Sequence, residues 1–92
     1  MVDVSRNQPV YNIGIAAELV GVHPRTLRIY EETGLIFPAR TEGNTRLYSN
    51  ADIELCLRIR FLIQEMGLNL AGVKLILMLE ERLNFHIEDW CK

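Results

Sequence analysis

The sequence holds only two cysteines, Cys56 and Cys91, and they share no CxxC spacing. Two isolated thiols cannot build a disulfide framework, and their scarcity suits a reducing cytosol. Zinc needs about four ligands, and Cys91 has only His86 nearby, so a metal centre and any other cofactor are not expected. No apolar run reaches membrane-spanning length and the N-terminal residues lack a signal-peptide pattern. A cytoplasmic protein with no membrane contact is expected. No nucleophile stands beside a base and there is no phosphate loop, which leaves an enzyme without residues to stand on. Glu31 and Glu32 are no catalytic pair, because adjacent helix positions point apart; a solvated face or pairing with nearby arginines suits them better. Linker-like stretches, internal repeats and low-complexity segments are also missing.

The chain lacks an overall basic excess as well, with a formal net charge of −2 over 92 residues. Its charge is unevenly placed, however. Between residues 23 and 48 stand Arg25, Arg28, Arg40 and Arg46 against Glu31, Glu32 and Glu42, whereas residues 75–92 carry Arg82 and Lys92 against Glu80, Glu81, Glu88 and Asp89. Phosphate binding needs a local positive face rather than a basic chain. A hydrophobic content of 49% in 92 residues is that of one folded domain.

The stretch IAAELVGVHPRTLRIY, residues 15–30, organises the rest. Gly21 sits where a first helix must stop, and Pro24 sits where a second can begin at no cost in hydrogen bonds. Ala17 is small enough for close crossing, and Leu27 and Tyr30 fall on one face of the second helix. Arg25, Thr26, Arg28 and Ile29 remain outside that apolar stripe. Such a helix suits a DNA major groove, where arginine can grip guanine and threonine can reach a base edge or a phosphate. An ordinary helical hairpin with solvated arginines is the competing reading. His23 is expected to serve the turn or a cap.

The first helix is expected from Gly14 or Ile15 to Val20 or Gly21, and the second from Pro24 to about Thr33, stopped by Gly34. Residues 10–13 are a short β-like run, and Leu35, Ile36 and Phe37 form a buried connection ended by Pro38. In residues 39–49, ARTEGNTRLYS, the turn Glu42-Gly43-Asn44 is flanked by arms that can pair as a ribbon. Period two sets Arg46 and Tyr48 on one face, away from Leu47. A ribbon after a helix-turn-helix is a wing, whose Arg40 and Arg46 would reach backbone phosphates. Asn50 is expected to cap a third helix, apolar at Ile53, Cys56, Ile59, Ile63 and Met66 and also at Leu55, Leu57, Phe61 and Leu62, hence buried on more than one side. Gly67 ends it and Asn69 caps a fourth helix. Val73, Ile76, Leu79, Leu83, Ile87 and Trp90 form a stripe if that helix, or a successor, continues towards the C-terminus.

LRIYEETGL followed by PARTEGNTRLYS resembles the DNA-binding domain of MerR-family transcription regulators, and VHPRTLRIYE with MGLNLAGVKLIL resembles its heat-shock repressor (HspR-like) branch. The resemblance covers about residues 11–83. It implies a mostly α, winged helix-turn-helix fold with a short hairpin wing and two further helices. A flexible arm (1–9), a DNA-binding domain (10–83) and a C-terminal segment (84–92) that begins a dimerisation helix are expected. Carried over by position, Arg28 matches the arginine of the recognition helix, with Arg25 and Thr26 at its DNA-facing end. Tyr30 matches the second aromatic of a frequent Tyr-Tyr pair whose first member is Ile29 here. Arg46 and Tyr48 match the Arg-x-Tyr of the wing, flanked by Arg40 and Asn44, and Lys74 falls where a second wing approaches the backbone. The implied partners are double-stranded DNA, a second copy of the chain on an inverted repeat, and a chaperone co-repressor. Homodimers of the family are held by a long C-terminal helix, and this chain ends at Lys92 before one could finish. A regulator, and within the HspR-like branch a repressor of chaperone genes, is therefore expected. A nitrogen-metabolism regulator of the same family, and a protein-interaction module using the apolar faces of the last two helices, remain the alternatives.

Overall fold

The computed structural model describes residues 5–84. Its elements run α1 (Ile13–Val20), α2 (Pro24–Glu32), β1 (Ala39–Arg40), β2 (Arg46–Leu47), α3 (Asn50–Gln64) and α4 (Leu70–Leu83). Each boundary has a local cause. Asn12 caps α1 by accepting the Ile15 N–H at 2.9 Å, which starts the helix slightly earlier than the position of Gly14 suggests. Gly21 ends α1 at φ 82°, a conformation that costs glycine little and other residues more. His23 caps α2 through Nδ1, which accepts the Arg25 N–H at 3.0 Å, and Pro24 follows in the first turn, as the sequence led us to expect.

The C-terminal end of α2 is tied off three ways. The Thr33 hydroxyl donates to the carbonyls of Ile29 and Tyr30, Gly34 turns the chain at φ 78°, and the Lys74 ammonium donates to the Thr33 carbonyl at 3.3 Å. The chain then enters the core through Leu35 and Ile36. Phe37 does not follow them: it is 79% exposed, while Pro38 is buried. The expected buried connection is thus one residue shorter than its apolar run.

The wing is a short antiparallel pair in which Ala39 faces Leu47 and Arg40 faces Arg46. Its turn closes by Asn44 N–H to Thr41 carbonyl and Thr41 N–H to Thr45 carbonyl, both 2.9 Å. Only Asn44 takes a positive φ, 64°; Gly43 does not need its freedom. Of the β-like run 10–13, Tyr11 exchanges backbone bonds with Tyr48 and the Val10 N–H donates to the same Tyr48 carbonyl at 3.0 Å, but the pairing goes no further because Ile13 already belongs to α1.

Ser49, not Asn50, caps α3, in a reciprocal box with Asp52. Asn50 is the first helical residue and accepts the Tyr11 hydroxyl at 2.7 Å. One face of α3 is buried at Ile53, Cys56, Ile59 and Leu62, whereas Leu57 and Phe61 remain partly in water, so burial is one-sided rather than all round. Burial raises the Cys56 thiol to about 12, as befits a core residue. Asn69 caps α4 and Val73 is fully buried, but Leu79 and Leu83 are exposed, so the expected stripe leaves the core after its first turns. Asn84 ends α4 in the left-handed region at φ 56°. The expectations for Ile87, Trp90, Cys91 and the rest of 85–92 lie outside the described residues, as do residues 1–4.

The core gathers Ala16, Ala17 and Val20 of α1, Leu27 and Tyr30 of α2, the α3 face and Val73. Each fully buried Leu or Ile there contributes about 1.5–3 kcal/mol by leaving water. The described part of the N-terminal arm is attached rather than loose: the Arg6 carbonyl accepts the Ala51 N–H at 2.8 Å, and the Arg6 guanidinium meets Glu54 at 3.1 Å. Among the described residues no helix is long and apolar enough to cross a membrane, and no group of three His, Cys, Asp or Glu is placed to hold a metal ion.

Candidate nucleic-acid interface

Helix α2 presents two faces because its apolar residues recur three apart. Leu27 and Tyr30 are buried against α1 and α3, which turns Arg25, Arg28 and Ile29 outward, with Thr26 half-buried between them. The close approach of α1 depends on Ala16 and Ala17, both buried. The joint between the two helices is backed by α3: the Arg60 guanidinium lies over Gly21, close enough that an added methyl there would touch it at 3.4 Å.

The wing stands beside α2 and is bound to it by charge. Glu31, near the C-terminal end of α2, accepts from Arg46 Nε at 2.6 Å on one oxygen and from Arg40 Nη2 at 2.9 Å on the other. Arg40 also donates from Nη1 to the Asn44 carbonyl at 3.2 Å, which braces the wing turn. Partial burial raises the Glu31 carboxyl pKa, but the hydrogen bonds and charges of Arg46 and Arg40 outweigh it and leave the group below the ordinary carboxylate range. The same bond raises Arg46 above the ordinary range for arginine.

Tyr30 and Tyr48 stand elsewhere than the resemblance implies. The resemblance places both in the DNA-binding set, yet they are 3% and 0% exposed and belong to the core, which for Tyr30 agrees with its place beside Leu27 on the apolar stripe of the second helix. Tyr48 is the pivot between elements: its backbone pairs with Tyr11, and its buried hydroxyl makes no hydrogen bond among the described residues. Burial pushes Tyr48 up to about 12 against the opposing charges of Arg46 and Arg28, so the arginines of wing and helix both act on this one buried ring. Burial likewise raises Tyr30.

Of the remaining expected residues, Arg25, Arg28, Arg40 and Asn44 are exposed and Arg46 is half-buried. Lys74 is exposed too, but its ammonium sits at the C-terminal end of α2, where a cation complements the helix dipole. The geometry therefore sets Arg25 and Arg28 on the outward face of α2 with half-buried Thr26 at its margin, fastens Arg40 and Arg46 of the wing to Glu31 near the C-terminal end of that helix, and puts Lys74 at the same end. Glu31 was not among the expected site residues. Pairing with nearby arginines was one of the two readings its sequence position suggests, but partners nine and fifteen residues away could not be singled out from spacing.

Residues 11–80 match the model of the MerR HTH family regulatory proteins. HspR of Streptomyces coelicolor, named as a heat shock protein, is 47% identical over 81 residues, covering 88% of this chain and 54% of that protein. The HTH-type transcriptional regulator GlnR of Bacillus anthracis is 42% identical over 76 residues, covering 83% of this chain and 58% of that protein. The chain thus spans about half the length of these relatives. Among solved structures, the lead(II) complex of the transcription regulator PbrR691 from Ralstonia metallidurans CH34 has a TM-score of 0.71 at 30% identity, covering 87% of this chain and 62% of that one. HiNmlR, a regulator without a sensor domain bound to promoter DNA, has a TM-score of 0.63 at 29% identity, covering 70% and 48%.

Proposed function

The chain belongs to the MerR family of helix-turn-helix regulatory proteins, and from that premise we propose that it is a sequence-specific DNA-binding transcription regulator. Arg25, Thr26 and Arg28 enter the major groove, and Arg46 meets the phosphate backbone beside it. The observation that carries this reading is the outward display of Arg25 and Arg28 on a helix whose other face is fully committed to the core. The promoter-bound state of HiNmlR supports it.

The identity to HspR favours a cytoplasmic repressor of heat-shock genes, and a chaperone co-repressor is what the resemblance to the HspR-like branch implies. The regulator acts as a homodimer on an inverted repeat, because one recognition helix reads only a half-site and half-sites one helical turn apart, roughly 34–36 Å, need a two-fold protein. A GlnR-like role in nitrogen metabolism is the second reading, supported by 42% identity.

Selection of duplexes from random sequence, followed by titration of the winner at several salt concentrations, tests the proposal. Tight binding that weakens steeply with salt, to an enriched two-fold motif, is expected. Absence of any salt-sensitive duplex binding would favour the protein-interaction alternative, for which Leu75, Met78, Leu79 and Leu83 supply exposed apolar surface on α4.

A further inference from the structure

The geometry points to Glu31 as the positioning residue of the interface: one carboxylate fastens both wing arginines to the reading helix and thereby divides their roles, Arg46 facing phosphate and Arg40 bracing the wing. This inference rests on the DNA-binding reading above and deepens it.

Three observations lead here. First, the wing has two residues per strand, too short a ribbon to hold its own orientation. Second, Arg40 and Arg46 are directly opposite each other in that ribbon, an arrangement of like charges that opposes pairing unless an anion sits between them. Glu31 is that anion, with one oxygen for each guanidinium. Third, the two arginines are engaged through different nitrogens. Arg46 gives Nε to Glu31, which leaves its Nη pair outside that bond, the end of the fork that grips a phosphate. Arg40 has both Nη atoms occupied, one by Glu31 and one by the Asn44 carbonyl. The Arg40–Glu31–Arg46 cluster thus carries one net positive charge, directed by Arg46.

Glu31 touches no nucleic acid in this scheme. It acts through the arginines, and its removal does more than loosen the fold. Without its charge, Arg40 becomes a second mobile cation at the wing. Binding to any duplex should then gain electrostatic strength while losing its fixed register against the bases.

The test compares Glu31→Gln, Arg40→Ala and the unchanged chain for salt dependence on a selected and a random duplex, with thermal melting as the control for folding. Glu31→Gln should steepen the plot of log K against log salt by up to about 0.9, one further phosphate contact. It should also lower the ratio of selected to random affinity several-fold. Arg40→Ala should leave the slope of the unchanged chain as it was. Should Glu31→Gln not fold, Glu31→Asp, which keeps the charge but is too short to reach both arginines, should lose the same discrimination. In the DNA-free protein, the Arg46 Nε–H proton should exchange slowly and become fast in Glu31→Gln. If that exchange is already fast in the unchanged chain, or if slope and discrimination are the same in folded Glu31→Gln, the inference fails while DNA binding stands. If the unchanged chain shows no salt-sensitive binding, the DNA-binding reading fails and the inference with it.

Discussion

Arg58 of α3 donates from Nη2 to Glu80 Oε2 of α4 at 2.5 Å, and the two side chains are only 16% and 8% exposed. The bond joins the last two helices across 22 residues and leaves a carboxylate among α4's few buried side chains. A charged hydrogen bond in such a setting contributes about 1.5–3 kcal/mol. Glu80→Ala should lower the urea midpoint by the equivalent of that amount without changing the slope of the transition. A loss of only a few tenths of a kcal/mol, the size typical of exposed pairs, would show that the bond is solvated in practice.

Arg28 should read a base. Its replacement by Ala should weaken binding to the selected duplex by about 1–3 kcal/mol and to random duplex far less, provided it grips a guanine edge with two bonds. Fluorescence anisotropy on both duplexes measures the difference. Equal losses would reassign Arg28 to the phosphate backbone.

Arg46 should act on every duplex alike. Arg46→Ala removes the Nη pair from the wing and should lower the salt slope by about one, with selected and random sequences affected in parallel. A slope identical to that of the unchanged chain would take Arg46 out of the interface.

Acid should loosen the wing. The Glu31 carboxyl lies below its ordinary value of 4.5 in the folded protein, held there by Arg46 and Arg40 against the opposing effect of burial. A group whose folded pKa is depressed contributes stability above its unfolded pKa and loses that contribution as pH falls through the folded value. The melting temperature of the unchanged chain should therefore converge on that of Glu31→Gln as pH is lowered below about 4.5. Melting curves recorded from pH 7 downwards check this; a gap between the two proteins that does not narrow in acid would mean the ion pair adds nothing to stability.

Expectations drawn from neighbouring residues mostly agree with the fold where the deciding contact is itself local, the Asn12 and Ser49 caps being the exceptions. The Gly21 stop, the His23 cap with Pro24 behind it, the Asn44 turn and the Asn69 cap each involve backbone groups within four residues. The exchange of Asn50 for Ser49 as the α3 cap is a choice between two adjacent good capping residues. Asp52 decides it, because only Ser49 can share a reciprocal box with a carboxylate three positions on. Apolar identity was a poorer guide. Phe37 and Leu83 are as hydrophobic as Ile36 and Val73 yet lie in water, since burial depends on which side of an element meets another.

By itself the sequence determined the helix-turn-helix, the place and turn of the wing, and the outward set Arg25, Arg28 and Ile29, because capping, turn chemistry and a three-to-four residue apolar period are written within a few positions. Tertiary structure alone decided that Tyr48 is a core residue, that Lys74 closes the C-terminal end of α2 from 41 residues away, and that the arginines Glu31 holds are Arg40 and Arg46. Those pairings join elements whose approach is set by packing of the common core, and nothing in the spacing of their residues specifies it.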